Sequence, residues 1–184
     1  DRDVIRGFIA RTLTEVEPRT LISAANTPGD ANSIFKITQS GSYYLGTNVT
    51  GVSTRHGIEI AASNVTIDLN GFALLGAGGA GISDAITTEG ARSHIIIRNG
   101  SIFRWDSDGI NLVTGGAGTG AIIENIIVAN CGSSGIVVAE GSVIRSCTSR
   151  GNTGPVYTAG DFAVLENCTA LLNQANGSFL GDTA

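Results

Sequence analysis

The chain has 184 residues, 26 of them glycine, with charged residues at 15% and aromatics at 5%. That length fits one domain with a sizeable core, and glycine-rich, charge-poor composition suits many short strands and frequent turns better than helices rich in Glu, Lys and Leu. A net charge of -5 and a single lysine, Lys36, argue against nucleic acid as a partner, and no apolar run reaches the roughly 18 residues of a membrane span.

Beginning at Asp1 without Met and without a signal-like apolar segment, the chain is expected to be a mature or excised piece. Residues 1–16 carry the one good helix pattern: Val4, Ile5, Phe8, Ile9, Leu13 and Val16 recur at spacings of three and four, Asp1 or Asp3 can cap the start, and Pro18 stops it. A lone amphipathic helix must cover something, and the expected target is the open end of the strands that follow. From Pro18 to Ser33 the turn residues Asn26, Pro28, Gly29 and Asp30 read as a linker, which divides the chain into a helix with linker (1–32) and a second region (33–184). Alternation starts there, with Phe35 and Ile37 before the Ser40–Gly41 turn and Tyr43 and Leu45 after it.

From Gly57 onward the chain repeats itself. A first short strand recurs as GIEI (57–60), AITT (85–88), GINL (109–112), GIVV (135–138) and, more weakly, PVYT (155–158). A second recurs as VTID, IIIR, AIIE, VIR and AVLE, and a third follows an anchor residue at Asn70, Asn99, Asn125, Ser146 and Asn167. The last two units match at an offset of 21 residues, pairing Cys147 with Cys168 and Asn152 with Asn173. Units of this size cannot bury their apolar faces alone and stack to do so, while extra length collects in glycine-rich loops such as 76–81 and 115–120.

Period-2 alternation assigns the inward side chains. Val65, Ile67, Ile95 and Ile97 point in from the second strand, with a bulge expected where IDLNG carries one residue more than IRNG. After the anchor Gly71, Gly100, Ile126, Cys147 and Cys168 form one inward row, and Ala73, Ile102, Val128, Ser149 and Ala170 the next. Asn70, Asn99, Asn125 and Asn167 are placed to pass amide hydrogen bonds along the stack, and Arg98, Glu124, Arg145 and Glu166 alternate in sign from coil to coil. Three cysteines with no CxxC spacing favour buried thiols, with a disulfide between the stacked Cys147 and Cys168 as the alternative. On the outer face of the third strand Phe72, Leu74, Phe103, Ile127 and Leu171 are expected to form an apolar stripe that invites self-association.

The asparagine turns, three short strands per coil, GI-type first strands and amphipathic N-terminal helix resemble the right-handed parallel β-helix, or pectate-lyase-like, superfamily over about residues 33–175. The resemblance implies an all-β, right-handed parallel β-helix of about five to six coils with an N-terminal helix. Its enzymes act along the outer face of the first strand, here expected to show Glu59, Thr87, Asn111, Val137 and Tyr157. The clustered aspartates, Gly-His-Gly segment and Arg-x-Lys pair of polygalacturonases are not matched, nor is the acidic ligand set of the calcium-dependent lyases. What remains is a column before the first strand, His56, Asp84, Asp108 and Ser134, with Asp106 in the same turn and Arg104 and Trp105 beside it. Asp84 and Asp108 can share a proton or bind a hard cation such as Ca2+, Arg104 can supply a charge and Trp105 a sugar-stacking ring; Asp before Gly is also an ordinary turn residue. The expected function is therefore a rigid extracellular or cell-surface module with a structural or carbohydrate-binding role, self-associating as a homotrimer in the manner of tailspike β-helices, with no required cofactor. The alternative is a polysaccharide lyase or glycoside hydrolase that uses Asp84, Asp106, Asp108 and Arg104.

Overall fold

Apolar residues alternating over three to five positions and interrupted by glycine or asparagine give short extended strands, and the structure is built from them. The computed structural model describes residues 17–78, 81–116 and 118–174, so the helix expected over residues 1–16 lies outside the described part. In chain order the strands are β1 (Thr20–Leu21), β2 (Ser33–Ile37), β3 (Gly41–Tyr44), β4 (Val49–Thr50), β5 (His56–Ile60), β6 (Val65–Asp68), β7 (Ala73–Leu75), β8 (Ile86–Thr88), β9 (Ile95–Phe103), β10 (Ile110–Asn111), β11 (Ile122–Ala129), β12 (Ile136–Val138), β13 (Val143–Arg145), β14 (Thr148–Arg150), β15 (Tyr157–Ala159), β16 (Val164–Glu166) and β17 (Thr169–Leu171).

Neighbouring strands pair in parallel. One sheet has six strands in the order β15-β12-β10-β8-β5-β2, one per coil, and the other winds β1-β3-β6-β9-β11-β13-β16 with β4, β7, β14 and β17 alongside. The chain is thus a parallel β-solenoid of six coils. β9 and β11 run through both the second and third strand of their coils and bend at Asn99 (φ 60) and Asn125 (φ 54). Asn70, Ser146 and Asn167 hold the same left-handed conformation, which asparagine tolerates better than most residues. Thr20–Leu21, inside the expected linker, adds β1 to the edge of the second sheet beside Tyr43 and Tyr44. Phe35 makes an antiparallel bridge with Pro28, which folds the remainder of that segment over the first coil.

The core is columns of like residues. Ile58, Ile86, Ile110 and Ile136 stack in the first sheet, and Ile67, Ile97, Ile123 and Ile144 in the second; all eight are buried. Two inward assignments need correction. Four residues (69–72) separate Asp68 from Ala73, against two (99 and 100) between their partners Arg98 and Ser101. The bulge is therefore one residue larger than expected, so Leu74 rather than Ala73 faces Ile102 in the interior. Leu69 fills the space above Gly100, where an added Cβ would sit 2.4 Å from the Leu69 Cβ, and Gly71 (φ 82) serves the turn instead. In the last coil Tyr157 pairs with Ile136 and Thr158 with Val137, so Tyr157 points inward and Thr158 takes the outer position.

The apolar outer stripe also changes. Leu74 is core, Phe72 and Phe103 are half-buried, and the exposed Ile127 and Leu171 lie in different rows, flanked by Ser101 and Thr148 and by Arg150. Among the described residues the largest exposed apolar side chains of the second sheet's end are instead in the last coil, where Phe162 is 80% and Leu172 91% exposed.

Coil spacing leaves room for no side chain at Gly57. A Cβ there would lie 2.5 Å from the Ala85 carbonyl oxygen and 2.8 Å from the Trp105 ring. Gly57→Ala is expected to cost about 1–3 kcal/mol, as overpacking does, read as a lower urea midpoint with an unchanged slope; an unchanged midpoint would mean that the coils are slack at this level.

Candidate functional site

In three successive coils the residue leading into the first sheet carries a side chain that meets the backbone of the same position one coil later. The Asp84 N–H donates to His56 Nδ1 (3.0 Å), the Asp108 N–H to Asp84 Oδ1 (2.9 Å) and the Ser134 N–H to Asp108 Oδ1 (2.7 Å). These partners are 28, 24 and 26 residues apart in sequence, so loop length varies while the contact is kept. The column passes next to Pro155, whose carbonyl accepts the Gly135 N–H but whose nitrogen has no hydrogen to give Ser134.

Asp84 and Asp108 are 4% and 7% exposed. The second oxygen of Asp108 accepts the Asn111 side-chain amide at 2.7 Å, so both its oxygens are engaged. Burial, helped by the charge of Asp108, holds the Asp84 carboxyl above the usual carboxylate range. His56 Nδ1 lies 3.8 Å from Asp84 Oδ2, yet it already accepts the Asp84 N–H, so in this arrangement Nδ1 carries no proton and the contact is not an ion pair.

The other members of the expected constellation are dispersed. Asp106 is half-buried and accepts the Ser83 hydroxyl at 3.3 Å, over the loop at Gly81. Arg104 is exposed in a left-handed turn (φ 55). Trp105 is not a surface ring: it is 2% exposed and its indole N–H donates to the Leu74 carbonyl at 3.2 Å, which removes it as a sugar platform. Among the described residues no group of three or more His, Cys, Asp or Glu is arranged to hold a metal ion. Ca2+ takes six to eight oxygen ligands, whereas three of the carboxylate oxygens of Asp84 and Asp108 already face N–H donors.

Sequence reasoning placed Glu59 on the outer face of the first sheet but missed the charge cluster that gathers around it. Lys36 and Glu59 are register partners, followed along the face by Thr87, Asn111, Val137 and Thr158. Lys36 Nζ stands 3.0 Å from Asp30, 3.2 Å from Glu89 and 3.3 Å from Glu59. The contact with the buried Glu59 Oε2 is an ion pair that lacks hydrogen-bond geometry. Asp30 foremost holds the ammonium protonated, and Lys36 in turn holds the Asp30 carboxyl well below its ordinary value. The lysine is therefore a fixed cation rather than a proton acceptor. Alternation alone places Lys36 and Glu59 outward, but the convergence of Asp30 and Glu89 depends on loop paths. Further along the same face, Val113, Val137, Ala139, Thr158, Glu140 and Asp161 line a groove of about 400 Å³.

No protein-family model matches this chain, and no curated protein or solved structure matches it.

Asp84 allows the acceptor role to be separated from the charge. Its folded value lies above the unfolded one, so its ionisation opposes folding increasingly as pH rises through that interval and fully above it. Asp84→Asn keeps an acceptor for the Asp108 N–H and removes the buried charge. Its urea midpoint at neutral pH is expected to equal or exceed the parent's, with the difference shrinking toward acid pH. Asp84→Ala leaves a buried N–H without a partner and is expected to cost about 1–3 kcal/mol. Equal losses in the two variants would show that the charge, not the acceptor, is what the stack uses.

Proposed function

We propose that the chain is a rigid β-solenoid module of the right-handed, pectate-lyase-like kind, acting outside the cell or at its surface by structure and binding rather than by turnover. The observation that carries this reading is the commitment of Asp84 and Asp108: each spends an oxygen on the next coil's N–H, and Asp108 spends the other on Asn111. The binding surface in this reading is the outer face of the first sheet. Strands about 4.8 Å apart give six of them a run of about 24 Å, on which the half-buried Asn111 and the groove beside Val137 are accessible while Thr87 is buried beneath Thr114. A polysaccharide laid across the strands fits that surface. The charge of Lys36 is already shared among three carboxylates, which favours a neutral polymer over a polyuronate. Self-association, as a homotrimer by resemblance to tailspikes, completes the proposal; the exposed Phe162 and Leu172 move its contact toward the last coil.

One observation favours the alternative of a polysaccharide lyase or glycoside hydrolase. A carboxyl held above its ordinary value, as Asp84 is, suits a general acid. In that reading Asp108 and Asp106 are its partners and Arg104 the auxiliary charge. Incubating the protein with neutral and uronic-acid polymers, with and without calcium, separates the two. Retention on a neutral polymer without new chain ends is expected. Turnover that disappears in a folded Asp108→Asn variant would replace the binding reading with the enzymatic one. Light scattering is expected to give three times the chain mass, and a monomer would remove the oligomer from the proposal.

A further inference from the structure

Cys147 and Cys168 occupy the same position of the last two coils. Arg145 pairs with Glu166 just before them and Thr148 with Thr169 just after, and the Thr169 N–H donates to the Cys147 carbonyl at 2.9 Å. Both are free thiols, Cys147 buried and Cys168 partly exposed. From the opposite sheet the Tyr157 hydroxyl reaches across the interior to within 3.1 Å of both the Cys147 and the Thr169 carbonyl oxygens, tying the two coils together at this level.

In-register parallel neighbours are about 4.8 Å apart, inside the roughly 4.4–6.8 Å Cα separation across which a disulfide closes. Their stacked Cβ atoms keep a similar spacing, somewhat beyond the roughly 3.5–4.5 Å a disulfide takes, so closure must draw the last coil inward by less than about 1 Å. That coil is the one able to give. β16 and β17 are at the end of the second sheet, with a partner on one side only among the described strands.

We propose that Cys147 and Cys168 form a reversible cross-link between the last two coils, made by exchange with a small-molecule disulfide such as oxidised glutathione. The Cys168 thiolate attacks one glutathione sulfur and expels the other glutathione as a thiolate. Cys147 then loses its proton to water or buffer and attacks the Cys168 sulfur, expelling the second glutathione. The protein gives up two electrons and two protons, and one oxidised glutathione becomes two reduced. Burial pushes the Cys147 thiol up to about 12, so the partly exposed Cys168 is the point of entry and the second exchange is the slow step. Cys131 is buried elsewhere, its N–H held by the Asn152 side chain at 2.9 Å, and takes no part.

The test uses the full chain, reduced and then exposed to an excess of oxidised glutathione. Intact mass is expected to fall by two hydrogens, and proteolysis to yield a peptide pair joined through Cys147 and Cys168. The melting temperature is expected to rise by several degrees, because the link closes a loop in the unfolded chain, and dithiothreitol reverses both changes. Cys147→Ser and Cys168→Ser abolish them, whereas Cys131→Ser retains them. A glutathione adduct that stops at Cys168, a link through Cys131, or a covalent dimer would overturn the proposal, and the peptide map of the unmutated protein decides this even where a variant fails to fold.

Discussion

Stacking at the spacing of parallel strands is the constraint on which the rest of this molecule depends. Once each coil lies about 4.8 Å above the previous one, every side chain meets its own counterpart, and each position of the coil becomes a column with one chemical problem to solve. Apolar positions solve it with isoleucine, whose branched side chain packs on its own kind, as in the Ile58, Ile86, Ile110 and Ile136 column. Charged positions solve it by alternation: Asp68, Arg98, Glu124, Arg145 and Glu166 are register partners in that order, with Arg98 3.2 Å from Asp68 and Arg145 Nε 2.7 Å from Glu124. Like charges in such a column would repel at every step.

The column of His56, Asp84 and Asp108 solves a third problem. Where a loop enters the first sheet the backbone N–H has no strand partner, and burial without one is costly. A short acceptor side chain from the coil below meets that N–H, which is the service an N-cap residue performs for a helix. Histidine can take the role only through an unprotonated ring nitrogen, and aspartate only by bringing a carboxyl into a buried turn; the raised Asp84 value is the cost of that choice. Pro155 removes the need for an acceptor in the last coil, and there the acidic series has already given way to Ser134.

Columns are what a repeating sequence reveals best. The anchor residues, the inward Val65, Ile67, Ile95 and Ile97, the alternating charges and the Cys147–Cys168 pair were all legible, because each needs only a fixed offset and a period of two. The asparagine ladder was legible in conformation but only partly in bonding. Asn125 donates to Asn99 at 3.4 Å, whereas Asn99 turns to Asp68 and Asn70 to the Leu45 carbonyl, because the bulge at residues 69–72 shifts the column. Misreadings clustered where one coil departs from its neighbours. An uncounted residue exchanged Ala73 for Leu74, a first strand aligned one place early turned Tyr157 outward, and Trp105, in a turn with the polar Arg104, Asp106, Ser107 and Asp108, proved to be core. Of the candidate site the Asp84–Asp108 column was legible, but the direction of its hydrogen bonds and the gathering of Asp30, Glu59 and Glu89 around Lys36 were not, since both depend on loops that carry no period.

The two ends of the described stack are held by different forces. At the first coil Arg19 lies 4.7 Å over the Tyr44 ring while pairing with Glu17 and Asp68, and Leu21 packs where Gly46 leaves room, so β1 covers the edge with side chains as well as backbone. Toward the last coil the inward row runs from Leu74 and Ile102 through Val128 to Ser149 and the exposed Ala170, and hydrocarbon gives way to hydrogen bonds. Asn152, fully buried, joins Cys131 to Ser149; Asn173 accepts the Asn152 N–H; Tyr157 spans the gap with its hydroxyl. A coil with one neighbour gains one interface instead of two, and burying small polar side chains contributes less per residue than burying isoleucine. Among the described coils, hydrogen-bond geometry therefore holds at this end the register that apolar packing holds elsewhere.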